Sequence, residues 1–489
     1  MRPGAALSDG SPAGAAHALV VDVGKTNTRL LAIGADGEVL AAASQRSASY
    51  RCDFGYDALD TGAAQHWLQR AILDLGPLRA SLRQVIVSAH GAALAALRDD
   101  ALAFPVPDYE SACFDDRDPG LGGELDAFDQ TLSPLLPRGL NLGVQLDWLQ
   151  RNAPEAADRA DTLLPYAQYW AWWWSGAKAT EASSLGCHTL LWRPREGVYS
   201  HWAIARGWAR RFAPLRGAWE VLGPVRPALA AQLGLPRDLQ VHVGVHDSNA
   251  CLARYLRAWP SMTLVSTGTW VVVMAPGAAQ CALEAGRDQL GNVSVRGDLV
   301  PTGRFMGGRE IGHLCAGADP GSADISRIAA LLRRGVRLLP SFEPQGGAFA
   351  QCAGRIRVEG RDWTLEEWAR RLDSADRATA AALYAAQMIA WTIRALCAAG
   401  PIVLEGPLSR NAVVGCVLAA LFPERDVVAS ADALEGTARG AWLLTRWTVP
   451  ASREPAVEAA RCPEELGPIL RADWDDWCTT LAHGGPHAA

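Results

Sequence analysis

The chain has 489 residues, 49% of them hydrophobic and 20% charged, with a formal net charge of −6. That length exceeds one comfortable hydrophobic core, so two domains are expected, and the composition is globular, not disordered. A mildly acidic chain without a Lys/Arg-rich stripe argues against nucleic acid or an anionic membrane as partner, and no run approaches the roughly 20 apolar residues of a membrane span.

Residues 1–17, rich in Ala, Gly and Ser, lack an apolar block of signal-peptide length and read as a flexible leader. Ala18 to Val23, Arg29 to Ile33 and Val39 to Ala43 follow as strands, joined by Gly24–Asn27 and by a turn at Asp36-Gly37. Ala64, Trp67, Leu68, Ala71, Ile72 and Leu75 fall on one face of a helix, and Gln84 to Ser88 is a buried strand running into His90-Gly91-Ala92. Strands first paired as hairpins and then alternating with helices predict a mixed sheet with helical layers, an α/β fold. Trp170, Trp172, Trp173 and Trp174 crowd one segment; core packing is the plainer account, a sugar-stacking platform the sharper one. A polar break at 235–238 precedes a strand over Leu239 to Val245. The second half repeats the plan loosely: a hairpin around Thr267-Gly268, helices near Ile325–Arg334 and Thr379–Ala398, and a strand Ile402 to Leu404. The segment 433–441 is rich in glycine and small residues, which lets a flat ligand approach the backbone. The expected layout is a leader at 1–17, an N-terminal domain at 18–238, a C-terminal domain at 239–449 and an extension at 450–489.

Two hairpin loops of the same make stand in opposite halves: Gly24-Lys25-Thr26-Asn27 and Thr267-Gly268-Thr269. Exposed N–H groups at glycine turns form concave anion sites, and Ser/Thr hydroxyls add donors, so the pair suits a polyphosphate. Lys25-Thr26 invites a P-loop reading, but the first glycine of that motif would fall at Leu19, and this loop joins strand to strand. What remains is Asp22 at a strand end, placed for a hydrated metal ion. An ordinary hairpin is the competing account. His242 and His246 are four apart, yet Val241, Val243 and Val245 alternate around them, which is strand and not the helix a metal pair needs. Asp247 closes an apolar run where a base for phosphoryl transfer to a hydroxyl would sit; it is also a good helix N-cap. Asp108, Glu110, Glu181 and Glu310 are further polar candidates or solvated surface. The eleven cysteines are scattered without a Cys-x-x-Cys pair and read as reduced thiols of a cytoplasmic enzyme.

Asp22 to Asn27, Val245-His246-Asp247-Ser248-Asn249-Ala250, Ser266 to Trp270, Glu405-Gly406 with Asn411, and Gly436 to Ala441 resemble, in that order, the motifs of the FGGY carbohydrate kinases. The resemblance runs from about residue 18 to 446. Gln145 to Glu155 and Thr180 to Ser184 also look like that family's N-terminal domain. It implies a two-domain actin-like, ribonuclease-H-like fold with ATP and sugar in the inter-domain cleft. It also implies ATP-dependent phosphorylation of a ketose, polyol or related sugar hydroxyl, with Mg²⁺. On that resemblance Asp247 is the base. Gly24, Lys25, Thr26, Asn27, Thr267, Gly268 and Thr269 serve the phosphates, Gly406, Asn411 and Gly436 the adenosine. His90, Gly91, Asp108, Glu110 and His246 with Asp247 face the sugar, and Asp22 the metal. The expected partner is a small sugar, with a homodimer the assembly considered.

His before Asp247 looks more like fuculokinases and rhamnulokinases than xylulokinases or glycerol kinases, which points to an L-fuculose or L-rhamnulose type deoxyketose. Xylulose, ribulose or a polyol is the alternative. Phe104 to Glu110 departs from the family's usual signature, and Phe305 to Glu310 is a subgroup feature. Outside the class stand a non-catalytic actin-like nucleotide sensor and an ATPase without a sugar pocket; an intact Asp22 and Asp247 count against the first.

Overall fold

The computed structural model describes residues 16–118, 120–279, 282–344, 346–432, 436–449 and 455–484. All but the last two residues of the expected leader, residues 433–435 of the glycine-rich segment, and 450–454 and 485–489 of the extension lie outside the described residues. The chain packs as two compact units: Met1–Arg254 with Gly291–Leu299 and Leu434–Ser452, and Tyr255–Leu290 with Val300–Ala433 and Arg453–Ala489.

In the first unit, Ala16–Val23 and Asn27–Gly34 pair antiparallel with Asp22 opposite Arg29, and Val39–Arg46 extends the sheet antiparallel. On the other side Gln84–Ala89 runs parallel to the first strand, with Asp22 level with Ser88. Gln240–His242 and Val245–His246 both run parallel to Gln84–Ala89, and Val221–Pro224 closes that edge antiparallel. This pairing is why residues 239–254 group with the first unit. The central strands read as near-continuous apolar runs because both faces are covered: Leu19, Val20, Val21, Val85, Ile86 and Val87 are fully buried. The helix Thr61–Asp74 starts where Asp60 accepts from the N–H of Ala63 at 2.8 Å, and it buries Ala64, Leu68, Ala71 and Ile72. Trp170, Trp172 and Trp174, on the helix Tyr166–Ser175, sit in the same core. The tryptophan run is packing.

The second unit repeats the plan. Thr263–Thr267 pairs antiparallel with Val271–Met274, which pairs antiparallel with Leu299–Phe305. Ile402–Glu405 lies parallel to Thr263–Thr267, Val427–Ser430 parallel to Ile402–Glu405, and Val457–Ala459 closes the edge antiparallel. Two mixed sheets of one topology are the actin-like, ribonuclease-H-like arrangement. The expected long helix spans Ser374–Ala395, capped by Asp373 and buried over most of its length. The helix expected near Ile325–Arg334 is a short 3₁₀ turn, Ile325–Arg327, leading into Ile328–Arg333.

One expectation is corrected here. Cys416, on the helix Ala412–Leu421, is joined by a disulfide to Cys462, 46 residues on, so the thiols are not all reduced. A spacing that long carries no motif; the fold brings the two together, with Ala460 set against Gly415 of that helix.

Candidate active site

Three neighbouring strands of the first sheet end together, and each carries a polar residue within one position of its end. Asp22 lies one residue from the end of Ala16–Val23, His90 directly follows Gln84–Ala89, and Asp247 follows Val245–His246. The register sets this alignment: Val23 is level with Ala89, and Ala89 with His246. The N–H of His90 donates to the carbonyl of Val23 at 3.0 Å, tying the first two ends. The break between Gln240–His242 and Val245–His246 is set by Gly244, which has φ +86° and whose added Cβ would stand 2.7 Å from the carbonyl oxygen of Val87. Gln168 Nε2 donates to the carbonyls of Val243 (3.3 Å) and Gly244 (3.1 Å), fixing the kink that delivers Asp247. The following helix, Asp247–Leu256, begins at Asp247 itself, which accepts from the N–H of Ser248 at 2.6 Å.

Carboxyl ends of adjacent strands are where open α/β sheets hold ligands. Burial, and then the charge of Asp247, push the Asp22 carboxyl up to about 7, with Arg29 and Ser88 opposing. Two carboxylates that disfavour each other's charge fit a divalent cation. Mg²⁺ typically takes one or two carboxylates and completes its shell with water and phosphate oxygens. No group of three His, Cys, Asp or Glu side chains is placed for a metal among the described residues. His90 donates from Nδ1 to the carbonyl of Gly91 at 2.7 Å; burial holds its basicity below the usual range, so Nε2 is a neutral acceptor. Gly91 is required: an added Cβ would lie 2.8 Å from His246 Nε2.

The sequence assigns Lys25 to the phosphates. Its Nζ instead lies 2.5 Å from Asp108 Oδ2 and 3.3 Å from Glu110 Oε2, and 5.3 Å from the centroid of the Tyr109 ring. Ser49 donates to the same Asp108 oxygen at 2.6 Å, and the N–H of Glu110 donates to Oδ1 at 3.0 Å. Asp108 is buried while Glu110 is exposed, so only the former is locked in this cluster. Tyr109 packs edge-on to His90, with ring centroids 5.9 Å apart. Of the first loop, the N–H of Gly24 bonds the carbonyl of Asn27 at 2.9 Å, and Thr26 and Asn27 are exposed at its tip.

In the second unit Thr267 is buried and its hydroxyl is engaged twice, donating to the carbonyl of Glu405 at 2.5 Å and accepting from the N–H of Leu408 at 3.0 Å. It braces the loop, while Gly268 and Thr269 are exposed at the tip, with the N–H of Gly268 on the carbonyl of Trp270 at 2.9 Å. Gly406 has φ +81°, and an added Cβ would lie 2.1 Å from the carbonyl oxygen of Thr267. Asn411 caps the helix Ala412–Leu421, accepting from the N–H groups of Val413 and Val414. Gly436 starts the helix Gly436–Leu444 and is buried. That helix groups with the first unit and packs its Gly440 against the carbonyl of Ala250 there, where an added Cβ would stand 1.7 Å away. The small residue there serves helix packing.

Glu181 and Glu310 are structural braces. Glu181 is fully buried and accepts from the N–H groups of Ser183 and Ser184 and from both hydroxyls. Glu310 accepts from Ser341, Phe342 and Tyr384. Residues to which the sequence gives no role are Ser49, Tyr109, Cys187 and Asn249. Asn249 lies two residues after Asp247, and Cys187 is brought to His246 only by the fold.

Residues 260–454 match a family model described as carbohydrate kinase FGGY, C-terminal domain. The L-fuculokinase of Escherichia coli K12 is 25% identical over 280 residues, which is 53% of this chain and 56% of that protein, so the chain matches only about half the length of this curated relative. The crystal structure of a carbohydrate kinase from Novosphingobium aromaticivorans superposes with a TM-score of 0.85 at 32% identity, covering 96% of this chain and 99% of that one. A xylulose kinase from Rhodospirillum rubrum, at 17% identity and a TM-score of 0.76 over 95% and 98% of the two chains, shares the fold. A full-length likeness at 32% identity, with the C-terminal family match, establishes that the chain belongs to the FGGY carbohydrate kinases.

Proposed function

We propose that the chain is an ATP-dependent kinase that phosphorylates a hydroxyl of a ketose, with an L-fuculose or L-rhamnulose type deoxyketose as its substrate and the cytoplasm as its compartment. The observation that carries the reading is the alignment of Asp22, His90 and Asp247 at three adjacent strand ends. In this reading Asp247 takes the proton from the sugar hydroxyl as its oxygen attacks the γ-phosphorus of ATP and the bond to the β,γ-bridging oxygen breaks, releasing ADP. Asp22 would hold Mg²⁺, which supplies charge neutralisation to the phosphates. His90 and Asp108 present acceptors to sugar hydroxyls, His90 through its neutral Nε2. The exposed tips Thr26–Asn27 and Gly268–Thr269 offer donors to phosphate oxygens, and Gly406, Asn411 and Gly436 serve the adenosine. The fuculokinase match and the His-Asp pair support the deoxyketose over xylulose, ribulose or a polyol.

The test is ATP consumption with purified protein and Mg²⁺ over L-fuculose-, L-rhamnulose-, xylulose-, ribulose- and glycerol-containing reactions. A deoxyketose giving the highest kcat/KM supports the assignment. A pentulose or glycerol in that place overturns the substrate, and turnover that no sugar stimulates overturns the kinase reading.

A further inference from the structure

We propose that Gln145 is a positioning residue for the sugar, a buried tie that fixes the Asp108 loop against the strand end carrying His90; this rests on the kinase reading above. Gln145 lies on the helix Leu142–Asn152 and is fully buried. Its Nε2 donates to the carbonyl of Ala92 at 2.8 Å and to that of Gly139 at 2.5 Å, which uses both amide hydrogens. Two carbonyl oxygens facing one atom fix the orientation of the amide, since an oxygen there would meet two acceptors. The Oε1 is buried and receives no hydrogen bond among the described residues. A methionine of similar length would fill the space without that unmatched oxygen, so the position calls for the two donors.

Each of the two carbonyls belongs to one side of the proposed sugar site. Ala92 stands two residues after His90 in the left-handed region, at φ +56°, and the bond to its carbonyl holds that turn. Gly139 gives its N–H to the carbonyl of Tyr109 at 3.0 Å. A Cβ added to Gly139 would lie 3.1 Å from the Tyr109 Cα and 2.6 Å from the Phe114 ring. The path from His90 through Ala92, Gln145 and Gly139 to Tyr109 therefore runs along peptide bonds and hydrogen bonds alone, and it ends beside Asp108. Tyr109 and His90 otherwise meet by their ring edges, with centroids 5.9 Å apart. The loop has further ties: the Asp108 N–H on the carbonyl of Asp57 at 2.8 Å, Arg138 on the carbonyl of Glu110 at 2.7 Å, and the Lys25 and Ser49 bonds to Asp108. None of these bonds goes to residues 90–92. Gln145 thus sets the spacing between the acceptors of His90 and Asp108, which a sugar that reaches both must match.

The experiment measures kcat and the KM of both substrates in the full chain, with the sugar that wild type turns over, and melting temperatures beside them. Gln145→Met keeps the length of the side chain and removes both donors. Its sugar KM is expected to rise about 10–100-fold, the range set by one or two lost hydrogen bonds. The KM for ATP should stay within about twofold and kcat within about threefold, the signature of lost substrate binding. In an Asp108→Ala background the same change should cost less than about threefold in sugar KM, because the acceptor it positions is gone; a residue that only stabilises the fold would cost the same in both backgrounds. If Gln145→Met does not fold, Gly139→Ala decides alone: it leaves Gln145 in place, crowds Tyr109, and should raise the sugar KM in the same selective way. A lowered melting temperature with an unchanged sugar KM, an equal rise in both KM values, or a fully additive loss in the double variant overturns the assignment. Wild type inert with every sugar would instead mean that the kinase reading itself has failed.

Discussion

Lys25 and Asp108, 83 residues apart, form a part-buried ion pair in which the ammonium of one lies 2.5 Å from the carboxylate of the other. The lysine belongs to the turn between the first two strands, and the aspartate to the loop that carries Tyr109 and Glu110. The turn at Gly24–Asn27 and the loop that carries Asp108 are thereby tied together, with Ser49 as the third corner.

Removing the ammonium should therefore be felt in the loop of Asp108, which the proposed function sets beside the sugar. Burial pushes the Asp108 carboxyl up, but hydrogen bonds from Lys25, Ser49 and the Glu110 N–H outweigh it and hold the group below its ordinary value of 3.8. A depressed folded value contributes stability above 3.8 that is lost as pH falls through the folded value. Lys25→Met should destabilise the protein by about 1–3 kcal/mol at neutral pH, the range for a partly solvated pair broken on one side. The gap to wild type should close under acid, and the KM for sugar should rise more than that for ATP. Denaturant melts at several pH values and steady-state kinetics check this; a rise in the ATP KM alone would return Lys25 to the phosphates.

Asp22 has the opposite sign. Its carboxyl is raised to about 7 by burial and by Asp247, so the folded protein binds more protons than the unfolded one between 3.8 and about 7. Stability of the metal-free protein should then fall as pH rises across that window, by roughly 2–4 kcal/mol, since each tenfold gain in proton affinity is worth about 1.4 kcal/mol. Asp22→Asn should flatten this slope in EDTA while abolishing Mg²⁺-dependent turnover. An unchanged slope would show that Asp22 is not the group responsible.

Two glycines of the second unit should separate function from folding. An added Cβ at Gly268 meets nothing nearer than the Trp270 carbonyl oxygen at 3.8 Å, whereas Gly406 has φ +81° and meets Thr267 at 2.1 Å. Gly268→Val should keep its melting temperature and lose nucleotide affinity and turnover. Gly406→Ala should lose more than about 1 kcal/mol of stability, because a side chain there is strained as well as crowded. Calorimetry of ATP binding beside thermal melts distinguishes the two; unchanged ATP affinity in Gly268→Val reduces that loop to a plain hairpin.

The strands, the two hairpin loops and the carboxylates at strand ends are legible in the sequence because each is a local pattern: an apolar run broken by glycine or ended by Asp. Asp22 and Asp247 fall at such ends, and the register brings those ends into line. Partners distant in the chain are not legible. Nothing near Lys25 announces Asp108, nothing near His246 announces Cys187, and Cys416 gives no sign of Cys462. Glycine is ambiguous in a sequence: Gly440 looks like room for a ligand, but the space is filled by Ala250 of the neighbouring helix. Thr267 likewise looks like a phosphate donor, while its hydroxyl is bound between Glu405 and Leu408.

Asp247→Asn tests the central claim most directly. The amide keeps the shape of the side chain and an acceptor for the Ser248 N–H, yet it cannot take a proton. With the preferred sugar and saturating ATP, kcat should fall by about 10²–10⁴-fold, the usual contribution of a positioned base, while nucleotide affinity and melting temperature stay close to wild type. A kcat within a few-fold of wild type, measured on folded protein, would contradict the account.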